Sequence, residues 1–186
     1  MEKTTQQTQN QLVKVVFYGP ESTGKTTLAK TLAQQYQTTW VPEFARDYLQ
    51  EKYDKTGKTS EPEDIMPMAK GQIDLENKHA KLASQFLFCD TNLLQNYVYA
   101  KVYFPDKNFS ELKSWALNLH YDYCFLTDID TPWIADGLRD KPNERIKMFE
   151  VFKNYLIKNQ KKFYILSGNL EQRLEKVNSI IQNQKL

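Results

Sequence analysis

The chain has 186 residues, of which 40% are hydrophobic and 26% charged, with a formal net charge of +2. That length and balance fit one globular domain with a core of its own and exclude wholesale disorder. The near-neutral charge argues against a general nucleic-acid or membrane-surface binder, and no apolar run approaches the ~20 residues of a membrane-spanning helix.

Residues 1–11 are polar, rich in Gln and Thr, and lack the apolar stretch of a signal peptide, so they read as a disordered tail ahead of a single domain over 12–186. Residues 12–18 (LVKVVFY) form an apolar, β-branched run ended by Gly19-Pro20, which predicts a buried strand. Leu28, Leu32 and Tyr36 then recur at helical spacing, predicting a helix over 26–36. A short strand is expected at 38–41, stopped by Pro42, then a short helix over 44–53 and a loop over 54–62. A long helix is expected over 63–84, with Pro67 in its first turn. Residues 85–89 (QFLFC) read as a third strand closed by Asp90. Helices over 93–104 and 109–119 precede a fourth strand at 121–126. Residues 127–142 are irregular, followed by a helix over 145–159, a fifth strand at 163–166 and a last helix over 170–184. Strands alternating with helices predict an α/β fold with a mostly parallel five-stranded sheet.

Two cysteines, Cys89 and Cys124, sit in apolar runs and read as reduced core residues of a cytoplasmic protein. With His79 and His120 the only histidines, a zinc site is not expected.

Gly19-Pro20-Glu21-Ser22-Thr23-Gly24-Lys25-Thr26 matches G-x-x-x-x-G-K-[ST] between a strand and a helix, and Thr27 follows it. The glycines let successive N–H groups turn toward phosphate oxygens, and the helix start adds its positive end. Lys25 is the candidate for the β- and γ-phosphates, and the Thr26 hydroxyl for Mg²⁺. Asp90, at the end of the third apolar strand, is the matching carboxylate. It is expected to hold the metal or to accept a proton, and the sequence leaves that choice open.

The chain has only 4 arginines. Arg139 and Arg145 flank the irregular segment after the fourth strand. A mobile lid over the nucleotide is expected at about 131–145, where arginines would neutralise charge on the transferring phosphoryl group. Arg145 has a plainer alternative in pairing with Asp140 or Glu144, and Arg173 reads as a surface helix residue. Glu43, Arg46 and Asp47 follow the second strand, at the carboxyl end of the sheet where an acceptor would sit. Thr91, Asn92, Trp133 and Asp136 are further candidates for the acceptor side. Gln72 and Glu76 are weaker ones, equally readable as a solvated helix face.

GPESTGKTTLA, VPEFARDYL, the helix from Met68 through Gly71-Gln72 to Glu76, Asp90-Thr91 and TPWIADGLRD together resemble the ribosylnicotinamide kinase domain of the NadR family. The likeness runs from about residue 13 to the C-terminus. It implies a P-loop kinase that transfers the γ-phosphoryl of MgATP to the ribose 5′-hydroxyl of nicotinamide riboside. ATP and a riboside would be its partners, with neither nucleic acid nor membrane, and a homo-oligomer is left open. Trp133 or another aromatic would then meet the cationic pyridinium ring, and Glu43 or Asp47 the ribose hydroxyls. No H-x-x-H or H-x-G-H occurs for adenylyl transfer, so the resemblance implies the kinase step alone. Two other functions fit the phosphate loop: a kinase for another small alcohol or nucleoside, and a nucleotide-binding regulatory ATPase. The guanine-reading N-K-x-D is absent.

Overall fold

A computed structural model describes residues 6–7, 11–134 and 142–182. Five parallel strands form one sheet in the order β2-β3-β1-β4-β5. They are β1 (Val13–Tyr18), β2 (Trp40–Val41), β3 (Phe86–Cys89), β4 (Tyr123–Thr127) and β5 (Tyr164–Leu166). Between and after them run α1 (Lys25–Gln35), α2 (Phe44–Thr56), α3 (Ile65–Ala80), α4 (Leu93–Tyr103), α5 (Ser110–Asn118), α6 (Arg145–Lys158) and α7 (Leu170–Gln182). The predicted class and its five strands are therefore what the chain adopts.

β1 lies at the centre, so its residues are covered on both faces, and alternate side chains go to different layers. Val15 and Phe17 pack with α1 and α7, through Leu28, Leu32, Val177 and Ile181. Tyr18 packs on the other face with residues of α3, α4, α5 and α6. This explains why residues 12–18 are apolar almost without alternation. Because β3 and β4 flank β1 on opposite sides, the chain switches direction at β1, and a crevice opens beyond its carboxyl end.

Several boundaries differ from the sequence pattern, three of them informatively. The helix expected over 63–84 begins as a 3₁₀ turn at Pro62–Asp64 and ends at Ala80. The loop expected from residue 54 starts later, because α2 continues to Thr56 and closes on Gly57, whose φ of 68° favours glycine. Thr127, expected in the irregular segment, is the last residue of β4 and fully buried. Of the expected tail, Gln7 lies against the body: its side-chain amide bonds both backbone groups of His120.

Among the described residues no helix is long and apolar enough to cross a membrane.

Candidate functional site

Residues 19–26 leave β1 and curl into α1. Gly19 (φ 141°) and Gly24 (φ 82°) carry the positive backbone angles that the curl needs. At Gly19 space is a second constraint, since a Cβ would lie 2.9 Å from Thr127 Oγ1. Ser22 adopts a positive φ of 55° without being glycine. It is held there from the segment after β4: Thr131 Oγ1 donates to its carbonyl at 2.9 Å, and its own hydroxyl accepts from Ile134 N at 2.8 Å. α1 opens on Gly24 with no side-chain cap and no acidic residue in its first turn. Its amino end therefore keeps its unpaired N–H groups and its positive potential for an anion.

Lys25 is 8% exposed, and its ammonium donates to the loop's own carbonyls, Gly19 O at 3.0 Å and Pro20 O at 2.6 Å. Burial pushes its pKa down, while the carboxylates of Glu43, Asp90 and Glu21 act in the opposite sense. The Thr26 hydroxyl donates to Asp90 Oδ2 at 2.6 Å. Burial, reinforced by the negative Glu43, raises the Asp90 pKa to about 6, against the pull of Lys25 and the Thr26 bond. A hydroxyl beside a carboxylate that favours a nearby cation is a hard-oxygen pair suited to Mg²⁺. Among the described residues no group of three or more His, Cys, Asp or Glu could hold a metal. Further oxygens would have to come from nucleotide phosphates and water, as is usual for Mg²⁺.

These residues line a cleft of about 360 Å³. Glu21, Ser22, Thr23, Gly24, Lys25, Thr26, Thr27, Glu43, Arg46 and Asp90 all face it. Glu43 and Arg46 enter from the start of α2, with Arg46 Nε 4.0 Å from Glu43 Oε2. The cleft does not gather every expected residue. Asp47 is exposed on α2 and lines none of it. Thr91 is fully buried, and Asn92 spends its side chain capping α4 through Gln95 N. Trp133 lies beside the cleft, with the Arg145 guanidinium 5.8 Å from its ring. Asp136 and Arg139 lie outside the described residues.

Two readings of the sequence need correction. Arg173 is no surface residue. It is 2% exposed, lines the cleft, and donates to Thr23 O at 2.6 Å. Gln72 and Glu76 are not a solvated face either, at 1% and 3% exposed. Gln72 accepts from Phe44 N at 2.8 Å and donates to Pro42 O at 3.1 Å, so α3 fixes the turn that delivers Glu43. Glu76 takes the Tyr121 hydroxyl at 2.7 Å and the Lys14 ammonium at 3.4 Å. Asp140, one of the two acids expected for Arg145, lies outside the described residues. The Arg145 guanidinium donates to Thr131 O at 2.8 Å and Ser22 O at 3.2 Å.

Sequence reasoning missed Gln95, whose Oε1 accepts from Gly19 N at 3.2 Å, and Tyr99, which also lines the cleft. Both follow Asp90 on α4 at the four-residue spacing that puts them on one face, which was the available signal.

A parallel sheet in this order, with a glycine-bounded loop at the end of its central strand and an open helix start beyond it, defines a P-loop nucleotide-binding fold. Residues 14–173 match the AAA domain family, and the chain belongs to it. It is 29% identical over 125 residues to the trifunctional NAD biosynthesis/regulator proteins NadR of Salmonella typhimurium and Escherichia coli. That match covers 67% of this chain and 30% of each relative. Among solved structures, a NadR protein in complex with NR superposes with a TM-score of 0.77 at 22% identity, covering 92% of this chain and 50% of that one. Thymidylate kinase from Candida albicans gives a TM-score of 0.71 at 16% identity, covering 96% and 94%. The fold is thus the one shared by P-loop nucleoside and nucleotide kinases, and the resemblance to NadR read from the motifs is borne out.

Proposed function

We propose that this chain is a kinase that transfers the γ-phosphoryl of ATP to the ribose 5′-hydroxyl of nicotinamide riboside, giving nicotinamide mononucleotide in NAD salvage. The observation that carries this reading is the cleft itself. A buried lysine with no carboxylate partner among the described residues and a hydroxyl–carboxylate pair stand on one side, and Glu43 and Arg46 on the other. The first set suits a triphosphate and the second a polar acceptor. The likeness to NadR supports the choice of riboside.

In this reading Lys25 exchanges its two carbonyl partners for β- and γ-phosphate oxygens, and the loop amides and the start of α1 take the remaining charge. Thr26 and Asp90 would hold Mg²⁺, which when bound would neutralise charge on the phosphates. With Asp90 engaged by Thr26, Glu43 on the acceptor side orients the acceptor hydroxyl and accepts its proton. Arg46 stands 4.0 Å from the Glu43 carboxylate, while Arg145 holds the Ser22 carbonyl at the cleft's mouth. Catalysis by these groups is positioning and electrostatic stabilisation.

The test is acceptor-dependent ADP release with MgATP and a panel of nicotinamide riboside, nicotinic acid riboside, thymidine, deoxyadenosine and shikimate, with Lys25→Ala as the blank. Turnover is expected with nicotinamide riboside and strongly reduced with thymidine, deoxyadenosine and shikimate, and the nicotinic acid riboside arm decides between the two ribosides. Turnover confined to another acceptor would reassign the acceptor side and keep the kinase. ATP binding without any acceptor-dependent turnover would overturn the reading in favour of a regulatory ATPase.

A further inference from the structure

Arg173 stands 147 positions after Thr26 in sequence and is nearly inaccessible, yet it reaches the phosphate loop from α7. Its Nη1 donates to Thr23 O at 2.6 Å. Its Nη2 donates to Asp128 O at 3.2 Å and pairs with the Asp130 carboxylate, whose other oxygen accepts from Gly168 N. The guanidinium thus ties together the loop, the end of β4 and the turn after β5. Its Nε is buried with no hydrogen-bond partner. A buried cation with an unsatisfied donor is a poor choice for packing alone, since an apolar side chain of similar size avoids both desolvation costs.

The consequence lies in the peptide plane. Thr23 C=O and Gly24 N–H belong to one trans peptide and point opposite ways. Fixing the carbonyl toward α7 fixes the Gly24 N–H away from it. Gly24 is also where a glycine, free to rotate, would otherwise leave that plane unset. We propose that Arg173, held by Asp130, is a positioning residue for the nucleotide: it locks the Thr23–Gly24 peptide so that the loop is already arranged for a phosphate before one arrives. The proposal rests on the kinase reading in so far as the anion is taken to be a nucleotide phosphate. Preorganised amides lose little ordering entropy on binding, so loss of the lock weakens nucleotide affinity more than it weakens the fold.

The experiment compares the purified full chain with Arg173→Met, Arg173→Lys and Asp130→Asn. It measures Kd for MgATP by calorimetry and Tm without nucleotide. Val177→Ala, one turn further along α7 and fully buried, controls for damage to the helix packing. Arg173→Met is expected to raise Kd about tenfold or more. Arg173→Lys, which can reach one carbonyl but not the whole set, should recover part of that loss, and Asp130→Asn should raise Kd several-fold. Val177→Ala should lower Tm with Kd unchanged. Asp130 is partly exposed, so its variant reads the lock even where Arg173→Met folds poorly. An unchanged Kd in Arg173→Lys and Asp130→Asn, with wild-type binding intact, would overturn this inference alone. Failure of the wild-type chain to bind MgATP would overturn the kinase reading and this one together.

Discussion

Among the described residues two lysines are buried, Lys14 and Lys25, and they are matched in opposite ways. Lys14, 5% exposed near the start of β1, faces the Glu76 carboxylate, which also takes the Tyr121 hydroxyl. Lys25, 8% exposed beyond the other end of the same strand, meets neutral carbonyls and makes no ion pair among the described residues. A buried charge answered by a carboxylate is committed to the fold. One answered only by carbonyl oxygens keeps most of its electrostatic capacity for an incoming anion. Burial makes the second arrangement costly, which shows in the lowered pKa of Lys25.

Exchanging the two roles gives the largest expected effects. Lys25→Ala should reduce turnover by on the order of 10²–10³-fold, the scale of losing one preorganised charge-stabilising donor, and should leave Tm equal or higher. Glu76→Leu should do the reverse. Breaking a buried pair from one side costs about 3–5 kcal/mol, read as a large fall in the urea midpoint, with MgATP affinity unchanged in the folded fraction. The double variant Lys14→Met/Glu76→Leu should recover most of that stability. A Glu76 variant that folds well but loses ATP binding would erase the distinction between the two lysines.

Asp90 sharpens the comparison from the acidic side. Its pKa, raised to about 6 from 3.8, means that the folded chain holds a proton on Asp90 between those values while the unfolded chain does not. Stability from this group therefore increases as pH falls from about 6 toward 4, and is lost as pH rises through 6. The shift corresponds to roughly 3 kcal/mol of strain at neutral pH. Without nucleotide or Mg²⁺, Asp90→Asn should raise Tm at pH 7.5, and the gain should shrink steadily toward pH 4. The same variant should lose most turnover. A Tm that falls equally at both pH values would mean that the carboxylate is not strained.

The contrast also explains what the sequence discloses. The loop of residues 19–26 is local: one short segment must supply the glycines, the lysine and the hydroxyl, so the pattern is visible in eight consecutive residues. The five strands are visible because a central parallel strand is apolar on both faces. Arg173 was misread although it lies at four-residue spacing with Val177 and Ile181 on the buried stripe of α7, because a cation on such a stripe looks the same whether it is at the edge facing water or reaches a carbonyl from a segment far away in sequence. Gln72 and Glu76 failed for the same reason. Their spacing places them together on α3, but only the packing of β2, α2 and β1 decides that this face is inside. Glu43 and Arg46 line the cleft beyond the end of β2, whereas Asp47, one residue further along α2, is exposed and lines none of it.

That helix suggests the smallest and most selective perturbation. Gly71 in α3 lies beneath Phe44, so close that a Cβ there would sit 2.1 Å from the ring's Cε1. A glycine inside a helix costs roughly 1 kcal/mol relative to alanine, so Gly71→Ala gains helix stability while it pushes on Phe44. The push falls on the first turn of α2, which buries no residue and is held to α3 by the Gln72 bonds to Pro42 O and Phe44 N, so relieving it strains those bonds and displaces the turn where Glu43 and Arg46 begin. The two effects on stability should nearly cancel, leaving a change within about 1 kcal/mol. The acceptor side should not escape: KM for the riboside is expected to rise several-fold with KM for ATP unchanged, because Lys25, Thr26 and Asp90 are anchored by β1, α1 and β3 and not by α2. Equal changes in both constants would show that the two sides of the cleft move as one body. An unchanged riboside KM would show that the position of α2 does not set the acceptor site.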